Sequence, residues 1–177
     1  MRKSTFLFPP ILLFLLVLGC KREKVNLNIL VLKKGQYYLE GQTKPFTGCD
    51  TVRKLNRIMI SNFKNGFKTG ELKILYSNNQ PQIIGQLVNN QNEGLWKYYY
   101  PNYKIESQGY FVDNIPEGNW KWYYENGKVS EEGNFVHGLR TGNWLNYDTI
   151  GNILDNKNFV NGVEKGKKEF KKGQIAK

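Results

Sequence analysis

The sequence predicts an all-β chain: an elongated, single-layer antiparallel stack of β-hairpins. Three observations predict it. Gly70, Gly94, Gly118, Gly142 and Gly166 recur every 24 residues, each opening a strand-like phrase such as GLWKYYY or GNWKWYY. A second column keeps the same period at Phe63, Leu87, Phe111, Phe135 and Phe159, followed by Lys64 or by Val88, Val112, Val136 and Val160. The runs are rich in Trp, Tyr, Phe and Val, residues that fit a pleated, half-buried surface, and no stretch carries a helical period. A fixed period of this length marks a repeat architecture, in which each unit buries its apolar surface on its neighbours.

Residues 1–19 are of another kind. Arg2 and Lys3 precede an apolar run, Ile11–Leu18, and Gly19 stands directly before Cys20. The run is short for a membrane span and Pro9-Pro10 interrupts it. The segment looks like a bacterial lipoprotein signal, with Cys20 as the acylated mature N-terminus; an ordinary secretory signal and an uncleaved anchor are the alternatives. Several acyl chains at ~0.8 kcal/mol per buried CH₂ make such an anchor effectively permanent. Residues 20–34 then form a lipidated N-terminus and basic tether. The second mature residue is Lys21 rather than aspartate. By resemblance to sorted lipoproteins this implies the outer membrane, on its periplasmic face first and at the cell surface second. With Cys20 acylated, Cys49 has no cysteine left to pair with and is expected as a small buried filler.

The chain carries 26 basic and 15 acidic side chains, a formal charge of +11, which falls to +9 once Arg2 and Lys3 are removed. The excess sits at Lys21–Lys34 and Lys165–Lys177. Outside the cell nucleic acid is no partner, and anionic lipid, acidic polymer or an acidic protein are the available ones. The plainer reading, that the lysines are the solvated half of an alternating strand plus a tail that keeps the stack soluble, is favoured over a dedicated partner.

Residues 35–69 read as a divergent N-terminal repeat region. Val25–Leu32 reads as a strand, Lys34-Gly35 as a turn, and Pro45-Phe46-Thr47-Gly48 as the start of an earlier unit, 22 residues before Gly70. Residues 70–170 hold the regular repeats, two strands to a unit. Alternation puts Trp96, Tyr98 and Tyr100 on one face and Leu95, Lys97 and Tyr99 on the other. Asn126-Gly127 is the strongest short hairpin signal; Asn65-Gly66, His137-Gly138 and Asn161-Gly162 connect one unit to the next. The unit-opening glycines are expected to serve close backbone approach or positive φ. Lys168, Lys171 and Lys172 replace aromatics in the last unit, and residues 171–177 form a basic tail; a polar end repels further strand pairing.

The glycine-led aromatic strands resemble the MORN repeat. The Pro-Phe-Thr-Gly start, the Trp-x-Tyr-Tyr and Asn-Gly-Lys phrases and the lipoprotein leader are similar to bacterial MORN-repeat variant proteins of the YwqK-like antitoxin family. The resemblance covers about residues 35–170. It implies a scaffold for proteins or lipids, and for this family an antitoxin or immunity-type role.

No P-loop, dinucleotide fingerprint or nucleophile elbow is present, and His137 is the single histidine. An enzyme, a metal site and a cofactor are therefore not expected. The column Trp96, Trp120 and Trp144 is expected to be structural, closing one face of a sheet that has no covering layer. Tyr99, Tyr123 and Tyr147 are then the candidate exposed binding surface, with Lys97 and Lys121 steering a partner. Three readings stay open: a protein-docking module, an envelope-glycan or anionic-polymer binder, and a purely structural envelope protein.

Overall fold

The computed structural model describes residues 29–168. The leader 1–19, Cys20 and the tail 171–177 lie outside the described residues. Everything described is strand and turn, with no helix. The first two strands, β1 (Leu30–Lys33) and β2 (Gln36–Leu39), form a separate two-stranded hairpin around Lys34-Gly35. The others form one antiparallel sheet: β3 (Gly48–Lys54), β4 (Arg57–Lys64), β5 (Phe67–Lys68), β6 (Gly70–Tyr76), β7 (Pro81–Val88), β8 (Gln91–Tyr99), β9 (Ile105–Val112), β10 (Ile115–Tyr123), β11 (Val129–Val136), β12 (Leu139–Tyr147), β13 (Ile153–Val160) and β14 (Val163–Lys168). Spatial order follows chain order, except that the short β5 pairs beside β6 on β4. With strands ~4.8 Å apart, each two-strand unit advances the sheet by about 10 Å.

Two kinds of turn alternate. At Asn65-Gly66, Asn89-Asn90, Asp113-Asn114, His137-Gly138 and Asn161-Gly162 both residues have φ between 49° and 79°. These are the two-residue turns whose twist matches the flanking strands. At the other edge β3 and β4 close on the two residues Leu55-Asn56, but the later turns are wider, and Asn126-Gly127 belongs to one of them. Only Gly127 is left-handed, with φ 90°, while the Asn126 side chain accepts a 2.9 Å bond from the Lys128 amide. The hairpin exists, but the Asn-Gly pair does not make a two-residue turn.

The unit-opening glycines adopt φ of 63° to 78°. A Cβ on Gly94, Gly118, Gly142 or Gly166 would meet nothing within 4 Å, so conformation, not close approach, selects them. Each creates a bulge. Glu117 pairs with Tyr110 and Lys121 with Gln108, leaving Gly118-Asn119-Trp120 against Gly109 alone. The bulge lays the Trp120 ring across the backbone of Gly109, where a Cβ would fall inside the indole. Trp96 over Gly85 and Trp144 over Gly133 repeat the arrangement. This second glycine column, also 24 residues apart, was not anticipated from the sequence. Where Leu72 stands in the tryptophan column, the matching position is Ser61, buried rather than glycine.

Trp96, Trp120 and Trp144 are only 5%, 6% and 0% exposed. Phenylalanines separate them in an edge-to-face series: Trp96–Phe111 at 5.7 Å, Phe111–Trp120 at 5.1 Å, Trp120–Phe135 at 6.0 Å, Phe135–Trp144 at 5.0 Å and Trp144–Phe159 at 6.1 Å. That geometry sets positive ring edges on negative ring faces. A guanidinium, Arg140, closes the far end 4.0 Å above Trp144. The indole N–H groups of Trp120 and Trp144 donate to Tyr110 O and Asn134 O, whereas that of Trp96 is buried without a partner. Tyr76, Tyr100 and Tyr124 add staples between units, their hydroxyls donating to the carbonyls of Tyr99, Tyr123 and Tyr147 at 2.6 to 2.9 Å. Asp148 ends this column, using its carboxylate to accept from the Ile150 and Asn152 amides of its own turn.

At the N-terminal end Tyr37 and Phe46 pack on Phe63, and Gly48 stands opposite Phe63 as the later unit glycines stand opposite Leu87, Phe111, Phe135 and Phe159. Cys49 differs from the expectation of a lone buried filler. It is half-buried on the edge strand β3, and its side chain is not without a partner.

Candidate functional site

Strand alternation and register divide the sheet into two unlike faces. One carries the Trp–Phe series. On the other, direct cross-strand pairing runs Lys73, Ile84, Lys97, Gln108, Lys121, Glu132, Leu145 in an unbroken row. This lysine face has no covering layer among the described residues, so it is where a partner can approach.

Tyr99, Tyr123 and Tyr147 lie on it but are not the exposed surface expected of them. A long side chain on an antiparallel pair reaches diagonally to the residue opposite its i−2 neighbour. Tyr123 does this toward Gln108, whose Nε2 donates to the phenol at 2.9 Å. Tyr147 does it toward Glu132, donating at 2.7 Å, and is only 8% exposed. Tyr99 is half-buried and stacks on Tyr103 at 5.9 Å. Tyr123 and Tyr147 are cross-strand struts, Tyr99 packs on its own turn, and the structure does not bring the three together as a free aromatic patch. Lys97 and Lys121 do lie on this face, half-buried, with Lys121 2.8 Å from Glu132.

Lys121, Glu132 and Tyr147 form a linked group. Burial works to raise the Glu132 carboxyl, but hydrogen bonds from Lys121 and Tyr147 outweigh it and hold the pKa below the usual value. The Lys121 ammonium is raised, chiefly by its hydrogen bond to Glu132. Burial, and then the bond to Glu132, pushes the Tyr147 phenol up to about 12. A depressed carboxyl stabilises the fold above its unfolded pKa, and that contribution is lost as pH falls through the folded one. The raised phenol and ammonium act in the opposite sense: the Tyr147 contribution is full below pH 10.0 and lost as pH rises toward about 12. Urea midpoints measured against pH should fall at both extremes, and Tyr147→Phe should flatten the alkaline limb.

Also exposed on the lysine face, besides Tyr110 and Leu154, is a stripe that sequence reading leaves unused. Val112 pairs with Ile115, Val136 with Leu139 and Val160 with Val163 across the tight turns, each 44% to 58% exposed. The valine column was legible in the sequence, but its role depends on the tight turns holding both partners of each pair in the open. Between two tips lies a shallow cavity of about 240 Å³ lined by Val112, Asp113, Ile115, Glu117 and His137. The recurring acids beside it are turn caps: Glu93 accepts from the Asp113 amide at 3.1 Å and Glu117 from the His137 amide at 2.8 Å. Among the described residues no group of three or more His, Cys, Asp or Glu is placed to hold a metal ion.

Residues 92–113 and 116–137 match the MORN repeat variant family. These two segments are MORN repeats. Each matched segment runs from the start of an even-numbered strand to the following tight turn, β8 with β9 and β10 with β11. A tip pair, a Trp–Gly overlap and the phenylalanine between them therefore recur with each MORN repeat. No curated protein matches the chain. Among solved structures it is similar to a mutant of S. aureus TarM in complex with Fondaparinux, alpha-GlcNAc-glycerol and UDP, at 13% identity and a TM-score of 0.28. That likeness covers 64% of this chain but only 21% of the other, and at such a score it carries no argument.

Proposed function

We propose that the protein is a lipid-anchored MORN-repeat binding or scaffold protein of the cell envelope, held at the outer membrane through Cys20 and docking a protein partner as an immunity or antitoxin-type protein would. The observation that supports docking is the row of aliphatic pairs at the tight-turn tips, equally spaced, about half exposed and on the same face as the Lys73–Lys97–Lys121 row. Aliphatic side chains held in the open at regular intervals contribute little to the sheet and mark an interaction surface, while rim lysines favour an acidic partner and speed its approach. An envelope anchor confines any toxin it neutralises to the envelope.

The test is capture from envelope extracts with the full-length lipidated chain. One acidic protein should be retained, weakened by salt and lost with Val136→Asn plus Leu139→Asn. Retention of polysaccharide alone, or of nothing at low and moderate salt, would overturn the reading. The anchor is checked separately by the mass of the mature N-terminal peptide. The chain has two cysteines, and a thioether-acylated Cys20 cannot also pair with Cys49; a Cys20–Cys49 disulfide in that peptide would sink the lipid anchor. A second reading, binding of an envelope glycan, is favoured by one observation. The directly opposed Asn119 and Asn134, and Asn143 and Asn158, sit on the lysine face in mid-strand, where asparagine is ordinarily scarce.

A further inference from the structure

One repeat position combines backbone strain with an exposed apolar side chain. Leu55, Asn79, Tyr103, Gly127 and Gly151 stand 24 residues apart at the wide-turn edge, and all five have positive φ, between 53° and 98°. Glycine and asparagine tolerate this region; a bulky side chain is strained there. Tyr103 gains a ring stack on Tyr99 in return. Leu55 gains nothing comparable: φ is 53° and the residue is 96% exposed, the most open large apolar side chain in the described chain. Neither burial nor turn preference accounts for a leucine at this place. A strained residue held in the open points to a function outside the fold.

Its neighbours supply the chemistry. Arg53, Lys54 and Arg57 flank the turn, all exposed, with Lys54 directly opposite Arg57. Residues 51–60 contain no acidic side chain, and none of the three cations makes an ion pair among the described residues. A single apolar knob ringed by three cations matches the layered chemistry of a bilayer surface: hydrocarbon beneath, phosphate at headgroup level.

We propose that the β3–β4 hairpin tip is a second membrane contact, in which Leu55 enters the interface of an anionic bilayer and Arg53, Lys54 and Arg57 hold lipid phosphates. The contact would set one corner of the sheet, the β3–β4 tip at its divergent N-terminal end, on the membrane. It does not require the protein-docking reading, and it does not require acylation at Cys20.

Amide exchange of the full-length chain tests it, because exchange reads the tip separately from the leader. On vesicles of phosphatidylglycerol, exchange in residues 52–58 should slow relative to protein without vesicles, and the effect should vanish in high salt. On phosphatidylcholine vesicles the same amides should exchange as they do without vesicles, even if residues 1–20 insert. Leu55→Asn should raise Tm, since asparagine tolerates positive φ better than leucine, yet abolish the slowing; Leu55→Phe should keep it. Equal slowing on both lipids, no slowing on either, or an undiminished effect in Leu55→Asn would overturn the proposal.

Discussion

Trp120→Ala should destabilise the protein by about 3–5 kcal/mol, read as a shift in urea midpoint. The indole is 6% exposed, stands edge-to-face with Phe111 at 5.1 Å and Phe135 at 6.0 Å, and donates to Tyr110 O at 3.1 Å. Truncation removes all of this and bares two phenylalanine faces, with no second layer to collapse into the gap. Units touch only their neighbours, so the loss should be local. Amide exchange should rise first in β9 to β11 and little in β4 or β13. Unchanged stability, with loss of retention on an envelope polysaccharide, would instead make the tryptophan column a glycan site.

Gly109→Ala should cost about 1–3 kcal/mol or more, from one added methyl group. Gly109 does not have positive φ, so alanine is acceptable to the backbone and any loss comes from the collision of its Cβ with the Trp120 ring. The first unit, with Ser61 where later units have glycine and Leu72 where they have tryptophan, suggests the remedy. Gly109→Ala combined with Trp120→Leu should be more stable than the sum of the two single losses, a favourable coupling in a double-mutant cycle. Strict additivity would mean that the glycine is there for another reason.

The period, the strands and the tight turns were legible because each rests on local chemistry: left-handed Asn and Gly at turns, alternating aromatics between them. The glycines at 85, 109 and 133 were harder to read. A mid-strand glycine looks like a weak point until a ring from the next strand is known to lie on it, and that depends on the bulge at the unit-opening glycine. The tyrosines were misjudged for a related reason. Alternation assigned Tyr123 and Tyr147 to the correct face, but exposure is decided by the diagonal neighbour, and Gln108 and Glu132 are 15 residues away in sequence. The Asn126-Gly127 pair misled on turn type because the asparagine side chain, not its backbone, shapes that turn.

The bulge has an outcome for how long the molecule can be. Each unit-opening glycine restores the facing of tryptophan and lysine after 24 residues, so duplicating residues 94–117 would return every later side chain to its former side. An insertion of one residue within a strand would turn the remainder over. Length is thus a quantity this chain can change in whole steps of about 10 Å without redesigning a single contact. Those steps set how far from the N-terminal end the last repeat is presented, and the sheet acts as a ruler.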